Sequence, residues 1–483
     1  MRKRLIGKIL LTSALGAAAF PAQADTLREA LVRAYQTNPT LTGARAGQRA
    51  NDENVPLQRA RGLPNISLSG SYTENLERSS ASSPLRQAAG RADIEVPIYQ
   101  GGAVKNAIRA ADARVDAGQA NLRGTEASVF SQVVAAYMDV LRDEAIVSLN
   151  RKQVAVLQTN LEATRDRFQV GDLTRTDVAQ SESRLATARS QLDTVEANLI
   201  GSRERYVQIV GSEPGVLEQP PPLPNLPTSP QMAVSTALDN NPDIAAAKKN
   251  VDAAAFDTKA ARGARLPKIS AVANKTYANF LGSLQNFIIG FNQSQVAQTA
   301  GAGVQMTIPL YQGGGPSAQV RQAKERNSQA IEQSIETERS VIAQTRTAYA
   351  SWQASNAVIA SQETAVAATA LSLEGVRAEN SVGNRTILDI LNAEQEYLNA
   401  QVQLVSARRN AYVAGFTLLA AMGQAEAEDL GLDGGPLYDP EAHYKKAKGY
   451  YGDWDDGPRI GPAATRTVDT QPQNPSVLDK PGG

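Results

Sequence analysis

Val96-Pro97-Ile98-Tyr99-Gln100-Gly101-Gly102 and Ile308-Pro309-Leu310-Tyr311-Gln312-Gly313-Gly314 are one seven-residue phrase written twice. Upstream of each, apolar residues recur at every second position: Ala92, Ile94, Val96 and Ile98 against Asp93 and Glu95, then Val304, Met306, Ile308 and Leu310 against Gln305 and Thr307. Downstream of each runs a polar, alanine-rich stretch of about 65 residues without an internal proline. Period two marks a strand, and the long unbroken stretch marks a helix. The phrase is therefore a strand-to-helix junction made twice, with Pro97, Tyr99, Gly101 and Gly102 matching Pro309, Tyr311, Gly313 and Gly314.

The junction belongs to a longer repeat. A shift of 203 lays Pro39 on Pro242 and Leu63-Pro64-Asn65-Ile66-Ser67 on Leu266-Pro267-Lys268-Ile269-Ser270. From the junction onward the shift is 212, which pairs Tyr99 with Tyr311, Gly171 with Gly383, Thr174 with Thr386, Asp177 with Asp389 and Gly211 with Gly423. The difference of about nine residues falls between the two strands of each copy, at a hairpin tip, where loops absorb insertions. The expected organisation is a signal at 1–24, repeat one at 25–211, a linker at 212–230, repeat two at 231–423, a further segment at 424–456 and a disordered tail at 457–483.

Arg2, Lys3, Arg4 and Lys8 precede an apolar run ending in Ala22-Gln23-Ala24, the pattern of a cleaved secretory signal. Without those four cations the 49 basic residues fall to 45 against 49 acidic ones, and nothing suggests nucleic acid. There is no cysteine, so packing and assembly must supply stability where disulfides would be allowed. After the signal no apolar run approaches the 18 or so residues of a membrane helix. A chain of this kind enters a membrane, if at all, as strands.

Each repeat reads as a half-length helix, a β-hairpin, a long helix and a half-length return. Thr26 and Glu29 have capping-box spacing and open a helix expected over 26–61, kinked at Pro39. Ile66, Leu68, Gly70 and Tyr72 alternate with Asn65, Ser67, Ser69, Ser71 and Thr73, while Lys275 interrupts the apolar face of the corresponding strand in repeat two. One apolar and one polar face suit a membrane barrel with a wet lumen, or a soluble sheet with one solvated face. Four strands cannot close a barrel, and an open edge is not tolerated in lipid, so membrane insertion implies several chains sharing one barrel. Helices expected over 103–168 and 316–380 are each about 100 Å long and match two half-helices end to end. Seven prolines between residues 214 and 230 indicate a stiff extended linker.

Catalysis has little to work with. His443 is the only histidine, Cys/His zinc ligation is excluded by count, and Gly301-Ala302-Gly303 and Gly313-Gly314-Gly315 lack the spacing of a phosphate loop. No enzyme, cofactor or metal is expected. The informative residues lie at two reversals, Val170-Gly171-Asp172-Leu173-Thr174-Arg175-Thr176-Asp177-Val178 and Val382-Gly383-Asn384-Arg385-Thr386-Ile387-Leu388-Asp389-Ile390. Glycine supplies the positive φ that ends a helix, and Thr174 with Asp177, like Thr386 with Asp389, has capping-box spacing. Capping alone would account for both aspartates.

The duplicated Tyr-Gln-Gly-Gly junctions and paired Val-Gly turns resemble the TolC family of outer-membrane efflux and secretion ducts, over residues 25–423. The resemblance implies a mainly helical fold with strands: a homotrimer whose twelve-stranded outer-membrane barrel continues as a twelve-helix tunnel through the periplasm of a Gram-negative bacterium. It implies a passive exit duct that works with a periplasmic adaptor (membrane fusion) protein and an inner-membrane transporter of the ABC or RND type. By residue match, Thr176 and Asp177 are similar to acceptors, and Arg385 to the donor, of polar links that hold the periplasmic end closed. Asp389 is similar to an acidic ring at the constriction, and Val170-Gly171 and Val382-Gly383 to tips that adaptors grip. Asn392 stands where some members carry a second acidic residue, and Asn380 where some carry a linking tyrosine. The absent lipid-anchor cysteine leans toward type I secretion over drug efflux. The reading from another class is a secreted helical coiled coil, structural or adhesive.

Overall fold

The computed structural model describes residues 25–77, 83–284, 294–432, 435–458 and 461–477; the expected signal and both hairpin crests lie outside the described residues. Repeat one comprises α1 (Leu27–Thr37), α2 (Pro39–Asp52), α3 (Asn54–Ala60), β1 (Asn65–Glu74), β2 (Arg86–Gln100), α4 (Ala103–Gln169) and α5 (Arg175–Val210). Repeat two runs α6 (Pro230–Asn240), α7 (Pro242–Arg262), a 3-10 turn (Gly263–Arg265), β3 (Lys268–Asn279), β4 (Val296–Thr307), α8 (Gly315–Ser381) and α9 (Ile387–Ala421), and α10 (Pro440–Ala447) follows. The same order appears twice, as the shifts predict.

The capping box of Thr26 and Glu29 forms, but the helix expected over 26–61 is broken rather than kinked. A residue before proline is driven out of the helical region, and Asn38 takes ψ 125. Its side chain accepts from the amides of Thr40 and Leu41 and donates to the Ile209 carbonyl at the end of α5 (2.8 Å). Asn241 repeats the joint, accepting from Asp243 and Ile244 and donating to the Ala421 carbonyl (3.0 Å). One asparagine thus starts a half-helix and closes the end of a returning one.

The two long helices have 67 residues each, about 100 Å at 1.5 Å per residue. α4 packs against α5, α7 and α9, and α8 against α7 and α9. Phe130, Tyr137, Leu199, Tyr206 and Phe416 fill the main core. The Tyr137 hydroxyl points between the carbonyls of Asp25 (2.8 Å) and Glu218 (2.7 Å), joining the start of repeat one to the linker. The linker itself is laid on the core, with Leu217 buried and Tyr412 and Tyr349 donating to the carbonyls of Pro221 and Thr228. α8 buries only Val320, Val341, Thr345, Ala348 and Leu373 of its 67 residues; most of its surface has no partner in the protomer.

The strands form one antiparallel meander, β1-β2-β3-β4. Ile66, Ile94, Ala273 and Ala302 make one row across it, and Ser67, Asp93, Asn274 and Gly301 make the neighbouring row on the other face. Lys275 sits in the apolar row with Leu68, Ala92 and Ala300, where its long stem can carry the ammonium toward a wet boundary. β1 is exposed on both faces. β2 runs to Gln100 because β3 pairs Tyr99 with Ile269 and Gln100 with Lys268. β4, expected to reach Leu310, stops at Thr307; it is an edge strand, and among the described residues no strand faces residues 308–312.

The C-terminal region departs furthest from expectation. α10 packs on α2, Arg59 donates to the carbonyls of Lys448 and Tyr450, and Tyr444 donates to Asp112 (2.5 Å). The sole histidine, His443, places Nδ1 3.0 Å from the fully buried Asp52, with Glu53 3.7 Å from Nε2. The tail expected to be disordered turns at residues 467–470, and over residues 471–474 its backbone is held by Arg203 and Glu204 of α5 and by Glu213 just beyond it. Its lack of a core of its own does not matter, because it borrows one.

Burial pushes the Asp52 carboxyl up, against the opposing pull of His443 and Gln48. A folded-state value raised in this way gives stability that is full below the ordinary carboxylate range and lost as pH rises through the raised value. Asp52→Asn is therefore expected to gain on the wild type in thermal unfolding as pH climbs out of the carboxylate range. A gap between the two midpoints that stays constant between about pH 4 and pH 7 would exclude this account.

Candidate gate and docking turns

α4 and α8 end in matching turns. Val170 and Val382 are more than two-thirds exposed, and Gly171 (φ +91) and Gly383 (φ +85) stand in open space, so conformation rather than crowding requires glycine. The Asp172 amide closes on the Arg167 carbonyl and the Asn384 amide on the Glu379 carbonyl, both at 2.9 Å.

Both capping boxes form. Asp177 Oδ2 accepts from the amide and hydroxyl of Thr174 (2.8 Å each), and Asp389 Oδ2 from those of Thr386 (2.9 and 2.8 Å). The Thr386 bonds, and then the Arg385 charge, hold the Asp389 carboxyl below the usual range. Both contacts fall on Oδ2, which leaves Oδ1 of each carboxylate open to a second donor. Thr176 lies exposed in the first turn of α5. Within the protomer Arg385 pairs with Glu379 (2.7 Å), and Asn380 donates to the Arg385 carbonyl (2.7 Å). The structure therefore does not bring Arg385 onto Asp177 or Thr176 of its own chain.

What joins the two helix pairs near this end is a set of residues of which the sequence had singled out only Asn392. Arg184 of α5 donates to Asn392 of α9 (2.6 Å). Glu394 of α9 is buried at 2% exposure and accepts from Asn160 of α4 (2.9 Å) and Arg377 of α8 (3.0 Å). Leu157, Leu161, Leu185 and Leu391 pack together in the same region. The repeat carried a signal for part of this: the shift of 212 lays Arg165 on Arg377 and Glu182 on Glu394, and Arg165 pairs with Glu182 (2.6 Å). The repeat-one pair is about half exposed, because no α4-like neighbour covers it in the protomer. A second matched pair has exchanged its charges: Arg151–Glu196 (2.6 Å) in repeat one corresponds to Glu363–Arg408 (3.0 Å) in repeat two.

No helix among the described residues is long and apolar enough to cross a membrane, which leaves the meander as the element with a bare apolar face. The family described as outer membrane efflux protein matches residues 30–212 and 233–424, one match per repeat. The chain is 36% identical over 448 residues to the outer membrane efflux protein BepC of Brucella suis, covering 92% of this chain and 95% of that one. It is 25% identical over 439 residues to the outer membrane protein TolC of Escherichia coli, covering 87% of each. Its fold is that of the Campylobacter jejuni CmeC outer membrane channel, with a TM-score of 0.71, 16% identity and coverage of 93% of this chain and 98% of that one.

Proposed function

The chain belongs to the outer membrane efflux protein family, and from this we propose that three copies close a single twelve-stranded barrel and stand in the outer membrane as one export duct. Export from the outer membrane, without a reaction of its own, is the activity of the family; the trimer, the gate and the docking turns are our reading. One observation carries it. The meander ends in two unpaired edges, β1 and β4, and bares its apolar face, on the same chain as two helices of 67 residues. Lipid can cover the face but cannot satisfy the edges, and four strands per copy reach a closed barrel only by assembly. The bare surface of α8 then meets the α5 of the next copy, as α4 meets α9 within one.

The gate lies at the paired turns. Arg184–Asn392 ties the helix pairs within a protomer, Asp389 lines the constriction, and Arg385 exchanges Glu379 for the open Oδ1 of Asp177, or for Thr176, in the closed assembly. Val170-Gly171 and Val382-Gly383 present the exposed tips to a periplasmic adaptor, which brings an inner-membrane transporter of the ABC or RND type. Detergent extracts of outer membranes should yield a trimer that conducts ions in planar bilayers. A soluble, monomeric, non-conducting product would favour the secreted coiled coil instead.

Arg184→Ala and Arg385→Ser test the gate. An exposed polar link is weak singly, but three copies act together, so losing all of them is expected to raise the open population about five- to 150-fold. Both capping boxes survive either change, so if the aspartates only cap, conductance of intact trimers stays at the wild-type level and the gate assignment fails while the duct stands.

A further inference from the structure

Trp454 is the most exposed large apolar side chain among the described residues, at 97%, and Tyr451, three residues before it, stands 69% exposed. Neither hangs on a free end. Arg59 of α3 donates to the carbonyls of Lys448 and Tyr450 and lays its guanidinium over the Tyr451 ring, 4.4 Å from the centroid. The amides of Lys448, Gly449 and Tyr450 close on the carbonyls of Tyr444, Lys446 and Ala447. Residues 448–458 lie beyond both stretches that match the family, so membership of the family gives them no role.

The strand ends set the height at which these rings are held. Tyr99 pairs with Ile269 and Ile269 with Met306, which puts this tyrosine in the lowest row of the apolar face. Tryptophan and tyrosine collect at such a boundary, where an apolar ring with a polar tip meets lipid headgroups. Continued by two residues, the register of β1 on β2 sets Leu63 level with Pro97, about 7 Å from Tyr99 along the strand. Leu63, with Leu57 and Ala60 of α3, lines one side of a cleft of about 580 Å³, and Tyr450, Tyr451 and Pro458 line the other. Trp454 alone of residues 450–458 takes no part in the lining and stands clear of it.

We propose that residues 450–456 form a membrane-surface contact, in which Trp454 and Tyr451 enter the headgroup layer of the leaflet on the helical side of the meander, and that the partner is a zwitterionic phospholipid bearing an ammonium group. This rests on the reading above that lipid surrounds the meander. Asp453, Asp455 and Asp456 flank the tryptophan, and burying their unpaired charge in hydrocarbon is costly, so the rings go no deeper than the headgroups, whose ammonium groups pair with the carboxylates. Lys446, on the same cleft and 5.9 Å from the Tyr450 ring centroid, offers a cation to the phosphate. A contact with the bilayer outside the strands fixes the height and tilt of the helices against the membrane.

Fluorescence quenching by brominated phospholipid tests this on the full-length protein in vesicles of phosphatidylcholine and phosphatidylethanolamine. The chain has two tryptophans, and Trp352 lies far along α8, about 55 Å from its start at Gly315. Bromine close to the headgroup is expected to remove most of the Trp454 emission, and bromine at the chain end much less. Trp454→Phe should abolish the loss and leave an emission, from Trp352, that bromine does not change. Adding Ile66→Trp to Trp454→Phe places a tryptophan in the apolar row of β1, and the loss should return. Loss from that double variant with none from Trp454 in the unaltered protein would overturn the contact while leaving the meander in lipid; iodide in the water then tells a ring in solvent from one covered by a second copy. No loss in either protein would overturn the contact and the membrane reading of the meander together. Stronger quenching of Trp454 by bromine at the chain end would overturn the headgroup depth.

Discussion

Leu68→Cys combined with Ile308→Cys is expected to join neighbouring protomers into covalent trimers that survive denaturing electrophoresis and fall to monomers only with reductant. The register comes from inside the chain. β2 pairs Val96 with Ala271, the shift of 212 carries position 96 to 308, and the shift of 203 carries position 271 back to 68. Residues opposed in an antiparallel pair stand about 4.5 to 5.5 Å apart, within disulfide range. The protein has no other cysteine, so no competing bond forms. Ser67→Cys with Ile308→Cys is the control: a slip of one residue puts the thiols on opposite faces. Cross-linking in the control alone, or in neither, would refute closure by β4 against the next β1. It would also leave unexplained why residues 308–312 pair with no strand among the described residues while their counterparts in repeat one pair with β3.

Gly101→Ala should be among the most damaging single changes in the chain, and Gly102→Ala, one residue on, a moderate one. Both glycines have positive φ, +63 and +73, a conformation costing an alanine about 1–2 kcal/mol. Their surroundings differ. A Cβ on Gly101 would lie 2.4 Å from the Gly263 carbonyl oxygen and 2.9 Å from Leu266 Cβ, whereas on Gly102 the nearest atom is Asn106 Nδ2 at 3.7 Å. Gly263 is backbone and cannot swing aside, so overpacking adds about 1–3 kcal/mol to the strain at Gly101. Thermal unfolding of the assembled protein should thus show Gly101→Ala roughly 2–5 kcal/mol below wild type, and Gly102→Ala about 1–2 below. Equal midpoints for the two would mean that the turn at Gly263 yields, and that the contact between it and Gly101 is not rigid.

Much of this was legible in the sequence. The repeated heptapeptide marks both junctions, the helices expected over 103–168 and 316–380 end within one residue of α4 and α8, and the threonine-aspartate spacings form the caps they suggest. What could not be read was whatever depends on a partner distant in sequence. The break at Asn38 follows from the proline after it, but its bond to Ile209 does not. Glu394 looks like any helical glutamate until Asn160 covers it. The tail has the composition of disorder because its anchors, Arg203 and Glu204, belong to another element and bind its backbone rather than its side chains. Lys275 had a readable place and no readable reason.

The two matched ion pairs with exchanged charges, Arg151–Glu196 and Glu363–Arg408, bear on how such a chain arose. A protein of one repeat would need six identical copies to complete the ring proposed above, and every substitution would then appear six times around it. Exchanging a pair's charges one residue at a time passes through a like-charge stage, which is destabilising. Joining two repeats through residues 212–230 makes their association intramolecular and halves the number of sites bearing any intermediate. Divergence between the halves then becomes tolerable at positions where a sixfold ancestor would have been held to one solution. In the trimer proposed above, the proline linker would in this sense turn a symmetric ring into an alternating one, with one kind of seam inside each chain and another between chains.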